Sequence, residues 1–433
     1  MSLRSRLPSG RLPFGMGTVA LILSVLLVVT AGLVMWGSPD DGYGDEDGAL
    51  RAYDAEPATA WTVDDTNLKG FTGDGTITVA DHSGDDWLVA YPSGFGRSFQ
   101  LVDVKTGKQL WSQPIRVGLG DCAFNRSGEL GCAVKLGQVA NGFYLVDPDD
   151  GSMRKTDELR DTVSVTGVGD DFLRVNQIGY QAALRDPEGR LVWDRTFAAT
   201  ATPELRDGVL TVTTADGSSY VLDQRTGDDQ LGCTDCELGV YRSGVTVMRT
   251  EIDRESVAVH PRTGDDVGRA VRTAAGLEVV AGQSTLPVLT GAGARQMQVS
   301  DGHYEIVDPA TGAARWQISD PQLSKVHARP CGATVNFARK DRSRVFFDLA
   351  SGDRLGEMPA PDIDTPDRNL DYLSCVGSSG DDVVVYASRD QLTAFHAHSG
   401  NVAWELPIDG TAADVDGYLV LTQGTSLSVL RAG

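Results

Sequence analysis

Apart from one uninterrupted run near its start, this chain carries its apolar residues in short bursts. Between residues 76 and 103, "TITVADHSGDDWLVAYPSGFGRSFQLVD" alternates apolar and polar positions in three segments separated by Gly, Asp and Ser turn signals. The stretch "GDDVVVYASRDQLTAFHAH" (380–398) behaves alike. Period two over five to eight residues is the pattern of half-buried strands, and each stretch leads through a turn into one more strand. The predicted unit is a four-stranded antiparallel sheet. The exception is "GTVALILSVLLVVTAGLVMW" (17–36), twenty residues without a charge. A helix of that length spans roughly 30 Å, the thickness of a bilayer's hydrocarbon core, which predicts a transmembrane helix over 15–36.

The turn closing each strand triplet recurs. It reads "LVDVKTGKQLW" (101–111), "LVDPDDGSMRK" (145–155), "LRDPEGRLVW" (184–193), "VLDQRTGDDQL" (221–231), "AVHPRTGDDVG" (258–268), "VDPATGAARW" (307–316), "FFDLASGDRLG" (346–356) and "AFHAHSGNVAW" (394–404). The corner residue falls at Asp103, Asp147, Asp186, Asp223, His260, Asp308, Asp348 and His396, with gaps of 37 to 48 residues. Aspartate there can accept hydrogen bonds from the amides of the turn. A glycine, as at Gly107, Gly189, Gly312 and Gly400, supplies the positive φ that ends the hairpin. Tryptophan follows at Trp111, Trp193, Trp316 and Trp404, which predicts indoles packed between neighbouring units. The other four units hold Lys155, Leu231, Gly268 and Gly356 there, so weaker contacts are expected.

A period near forty, with several short strands per unit, is the signature of a β-propeller. The segment "LRAYDAEPATAW" (50–61) echoes 392–404, and the carboxy end stops where a corner would follow. The strand near Trp61 is therefore expected to complete the blade begun by residues 410–431, closing the ring. Eight corners plus that composite make nine; with one degenerate unit within 200–270 taken as incomplete or merged, the expectation is eight blades, with seven as the alternative.

Composition adds a compartment. The chain has 433 residues, 50 glycines and a formal charge of −22. So acidic a surface repels nucleic-acid phosphates, and no clustered basic stretch offsets it. Arg4, Arg6 and Arg11 precede the apolar run and acids follow it, so the amino end is expected to stay in the cytoplasm. This gives a cytoplasmic stub (1–14), an acidic flexible linker (37–60) and an extracytoplasmic propeller (61–433) on the plasma membrane; a cleaved signal peptide is the competing reading, and it exports the same residues. Six cysteines then imply disulfides. Cys122 and Cys132 flank a hairpin turn, Cys233 and Cys236 form "CTDC", and Cys331 and Cys375 fall on the first strands of neighbouring units.

The alternation A-x-D-x-x-T-G-x-x-x-W resembles the pyrroloquinoline-quinone (PQQ) repeat of quinoprotein dehydrogenases and of the outer-membrane assembly lipoprotein that shares their propeller. The resemblance covers nearly all of 61–433. It implies the propeller fold, and either a scaffold for proteins and peptides or an enzyme holding PQQ over calcium. The enzymes stack the quinone on a disulfide of adjacent cysteines, and here no two cysteines adjoin. "CTDC" lies in strand and turn context rather than opening a helix, the redox setting. The acidic stretches, including "DIDTPDRNLD" (362–371), do not match a calcium-loop spacing. His396 and His398 share a strand face without a third zinc ligand nearby. The expectation is a non-enzymatic binding scaffold without cofactor or metal, for a protein, peptide or envelope partner; the alternative is a PQQ- and calcium-dependent dehydrogenase working at the central channel.

Overall fold

The computed structural model describes residues 48–251, 254–291, 302–360, 370, 373–380 and 382–432. The expected stub and transmembrane helix, and nearly all of 362–371, lie outside these. No helix among the described residues is long and apolar enough to cross a membrane.

The described residues fold into nine antiparallel sheets in chain order. Blades 1 to 8 open with the strands Thr78–Ser83, Asp121–Phe124, Thr162–Val168, Ala201–Arg206, Cys236–Tyr241, Leu277–Val279, Leu323–Cys331 and Ser374–Ser379. Blade 9 runs Thr411–Val415, Tyr418–Gln423, Ser426–Arg431, and is completed by Ala58–Asp64 from the amino side, with Thr62 opposite Ser428. Both ends of the propeller thus share one sheet, and neither leaves a bare edge.

The count of nine overturns the expected eight blades and the alternative of seven. Both sheets in the degenerate stretch are complete. Blade 4 pairs four strands through Asp229–Thr234, and blade 5 takes Arg272–Ala275 as its fourth strand. In blade 5 the hairpin Arg262–Val267 is inserted before that strand, so the position four residues after the glycine no longer lies where the tryptophan would. Backbone pairing needs no signature side chain, so a unit can lose its signature and keep its sheet.

Each blade gap encloses its own apolar cluster among the described residues, from Trp61, Trp87 and Val429 between blades 9 and 1 to Leu419 and Trp404 between blades 8 and 9. The corners carry the aspartate turn: Asp103 accepts from Thr106 N at 2.8 Å, Asp308 from Ala310 N at 2.8 Å and Asp186 from Arg190 N at 2.8 Å. Gly107 (φ 68°) has no room for a Cβ, which would lie 2.5 Å from Trp61.

Residues 48–57, assigned by sequence to the flexible linker, instead lie against the ring. Leu50 and Tyr53 are fully buried between blades 8 and 9. Leu50 N donates to Ser378 O at 2.8 Å, and the Tyr53 hydroxyl donates to Leu430 O and accepts from Leu419 N, both at 2.9 Å. Two apolar side chains in an acidic stretch are enough to dock it, because burial stabilises each by roughly 1.5–3 kcal/mol.

All six cysteines are bridged: Cys122–Cys132, Cys233–Cys236 and Cys331–Cys375. The first staples adjacent strands of blade 2 and the third ties blade 7 to blade 8. Cys233–Cys236 joins the last strand of blade 4 to the first of blade 5.

Candidate functional site: the loop face of blades 1 to 3

Among the described residues, an indole closes five gaps. Trp61 Nε1 donates to Val104 O (2.5 Å), Trp111 to Pro148 O (2.8 Å), Trp193 to Gln224 O (2.9 Å), Trp316 to Leu349 O (2.9 Å) and Trp404 to Tyr53 O (2.8 Å). In the first four the acceptor directly follows the next blade's corner aspartate, and that blade's corner glycine lies under the ring.

The gap between blades 2 and 3 is built differently. In blades 3, 4, 6, 7 and 8 the fourth strand bulges three residues after its corner glycine, as between Trp193 and Leu191. In blade 2 the extra residue is Thr156, two positions later. The side-chain alternation changes accordingly. Lys155 pairs with Tyr144, which packs toward blade 1, while Asp157 pairs with Phe143, which packs on Phe172 of blade 3. A carboxylate therefore occupies the gap, against Gly189, where other gaps hold an indole.

Asp157 draws in three arginines. Arg174 Nη1 lies 3.0 Å from its Oδ2, Arg185 Nη1 4.0 Å from the same oxygen, and Arg160 Nε 3.9 Å from Oδ1. Arg174 is 3% exposed, with its guanidinium carbon 3.5 Å above the Phe143 ring. Burial pulls its pKa down to about 10, partly opposed by Asp157. Its Nε and Nη2 are buried with no hydrogen-bond partner. One carboxylate cannot serve three guanidinium forks.

Blade 2 strands are four or five residues long and those of blade 3 five to seven, so part of blade 3 stays uncovered. A cleft of about 330 Å³ results, lined by Arg160, Arg174, Arg185, Asn176, Gln181 and Asp194 among others.

The cleft reaches the face carrying the second-to-third-strand loops and the links between blades. Here six large apolar side chains stand in solvent. Phe95 is fully exposed in the blade 1 loop, Leu119 (43%) in the link to blade 2, Leu136 (72%) and Val139 (37%) in the blade 2 loop, and Ile178 (61%) and Tyr180 (43%) in the blade 3 loop. These loops are tied together: Leu119 N donates to Lys135 O at 2.9 Å, and Lys135 Nζ reaches both Asp161 (2.8 Å) and Gln177.

At the channel, Asp81 accepts from Phe124 N of the next blade at 2.8 Å, and Asp121 pairs with Arg97 at 3.2 Å. Burial raises the pKa of both. They tie first strands to their neighbours. A second cleft of about 170 Å³ lies between blades 5 and 6, beside Arg206, Tyr241 and Met248.

The corner residues and cysteines singled out by sequence are thus dispersed around the ring as structural parts and do not converge on one site. His398 lies 3.2 Å from Asp382, and no three potential metal ligands cluster among the described residues. Sequence reasoning missed the loop face and the arginine cleft. The legible trace was Lys155 standing where a tryptophan was due; the exposed apolar loop tips carried a second signal, in "GFG" and "QIGY" between strands.

Comparison with known proteins supplies a likeness of fold. BamB from Moraxella catarrhalis aligns over 87% of this chain and 98% of its own at 14% identity and a TM-score of 0.41. The Dos1 propeller aligns over 88% and 96% at 13% identity and a TM-score of 0.41. Chaetomium thermophilum Sqt1, solved bound to the N-terminus of ribosomal protein L10, aligns over 79% and 97% at 11% identity and a TM-score of 0.38. No family model and no curated protein sequence matches this chain. At identities this low the likeness concerns the fold alone.

Proposed function

We propose that this chain is a membrane-tethered, extracytoplasmic scaffold that docks a protein or peptide on the loop face of blades 1 to 3 and catalyses no reaction of its own. The observation that carries the reading is the concentration of Phe95, Leu119, Leu136, Val139, Ile178 and Tyr180 on one face of three consecutive blades. Side chains of this size exposed together, on loops held by a rigid frame, mark interaction surfaces. The charge-free run at 17–36 supports the tether, which raises the effective concentration of the ring near the membrane.

The test places a photo-crosslinking residue at Leu136, and separately at Lys108 in the corner loop on the opposite face, in the full chain in its native membrane. A discrete adduct is expected from position 136, lost on adding Phe95→Asp and Ile178→Asp, with none from position 108. Equal labelling from both faces overturns the assigned surface. A quinone absorbance band with dye-linked alcohol oxidation, on adding PQQ and calcium, overturns the non-enzymatic reading.

A further inference from the structure

We propose that the cleft between blades 2 and 3 binds an acidic side chain of the docked peptide, with Arg174 as the floor ligand and Arg160 and Arg185 beside it. This deepens the docking reading by giving the occupant a chemistry: a carboxylate flanked by apolar residues.

Three observations meet here. The charged side chains at the cleft are mostly cationic, with Arg160, Arg174 and Arg185 set against Asp194 in the lining and Asp157 behind it, in a protein whose formal charge is −22. Secondly, the unpartnered nitrogens of Arg174 are Nε and Nη2, one edge of the guanidinium, with two parallel N–H groups spaced to meet both oxygens of a carboxylate. The other edge is engaged, Nη1 with Asp157 and the planar face with Phe143. Burying these donors unpaired is unfavourable, so the folded chain has already met a desolvation cost that a ligand would otherwise meet on binding. Finally, the cleft opens beside the exposed Ile178 and Tyr180: Asn176 and Gln181, which line it, bracket the loop that carries them. A peptide laid over the apolar loops can place one acidic side chain into the gap. Arg160 is 63% exposed and stands at the entrance, whereas Arg174 must turn slightly to present its closed edge.

The probes are three fluorescent peptides and the full chain in nanodiscs, read by anisotropy and by protection of Arg160 from phenylglyoxal in mass spectrometry. The first is Gly-Leu-Phe-Asp-Leu-Gly with a C-terminal amide, the second its Asn-for-Asp twin, and the third that twin with a free C-terminal carboxylate. The first is expected to bind and protect Arg160, more weakly as salt rises. Arg174→Met should weaken it at least tenfold, and Arg160→Gln, at a position 63% exposed, several-fold. The amide twin should bind at least tenfold more weakly than the first. Binding of the third alone would move the carboxylate from side chain to chain terminus and overturn the proposal as stated. Equal binding of the first two, binding without protection of Arg160, or no binding of the first overturns it outright. The Leu136 adduct separates the two readings: its persistence in Arg174→Met with the cleft inert leaves the docking surface standing, and its absence while the acidic peptide binds leaves the cleft without that surface.

Discussion

The gap between blades 8 and 9 and the gap between blades 2 and 3 each lie between two consecutive sheets, and their chemistry is opposite. The first buries Trp404, Tyr53, Leu50 and ten further apolar residues among those described. The second buries six, and between them stands Asp157 with its arginines. A propeller must seal every gap with enough apolar area to hold the ring, but surplus in some gaps leaves others free to be polar. The indoles concentrate stability in five gaps, and a gap relieved of that duty can keep an open, charged cleft.

This contrast can be broken experimentally. Trp404→Ala should be the most damaging change, destabilising the chain by about 3–5 kcal/mol in denaturant unfolding, because it empties the closing gap and orphans Tyr53 O. Removing Cys331–Cys375 by paired serine substitution should cost about 4 kcal/mol by chain entropy, since 44 residues separate its ends. A cost near zero for either would mean that the ring is held elsewhere. Arg174→Met should cost only about 1–2 kcal/mol, because Arg185 and Arg160 still face Asp157. Adding Asp157→Asn should recover part of that loss, and a double-mutant cycle measures the coupling.

A pH-dependent effect lies at Asp414, where burial outweighs the hydrogen bond from Gly417 N and lifts the carboxyl from its ordinary 3.8 to about 7. The folded chain then holds a proton that the unfolded chain releases, so this group's contribution is full below about pH 4 and is lost as pH rises to about 7. Asp414→Asn should flatten that segment of the stability profile and raise stability at pH 8; an unchanged slope in thermal unfolding from pH 4 to 7 would refute the assignment. Phe95→Asp, at a fully exposed loop tip, should be the mildest, shifting stability by no more than about 0.5 kcal/mol while weakening the adduct formed from position 136.

Much of the ring was legible because its corner has strict local demands. Asp103 must accept turn amides and Gly107 must take φ 68° with an indole above it, and both leave residues that can be read one unit at a time. The blade count was not, because the inserted hairpin at 262–267 masks a complete sheet whose ladder is formed by backbone groups common to every residue. The cleft was illegible for another reason. A bulge two residues late in blade 2 turns Lys155 toward blade 1 and leaves Asp157 facing the gap, and no residue type announces where an extra residue will sit.

The sequence by itself determined a repeating four-stranded unit and a last blade shared by both ends, since strand periodicity and turn chemistry act over a few residues. Only the tertiary structure decided that nine such units close, and that arginines from two strands of blade 3 and the link before it meet around one carboxylate of blade 2. Those outcomes depend on how sheets stack across gaps, where side chains distant in sequence compete for the same space.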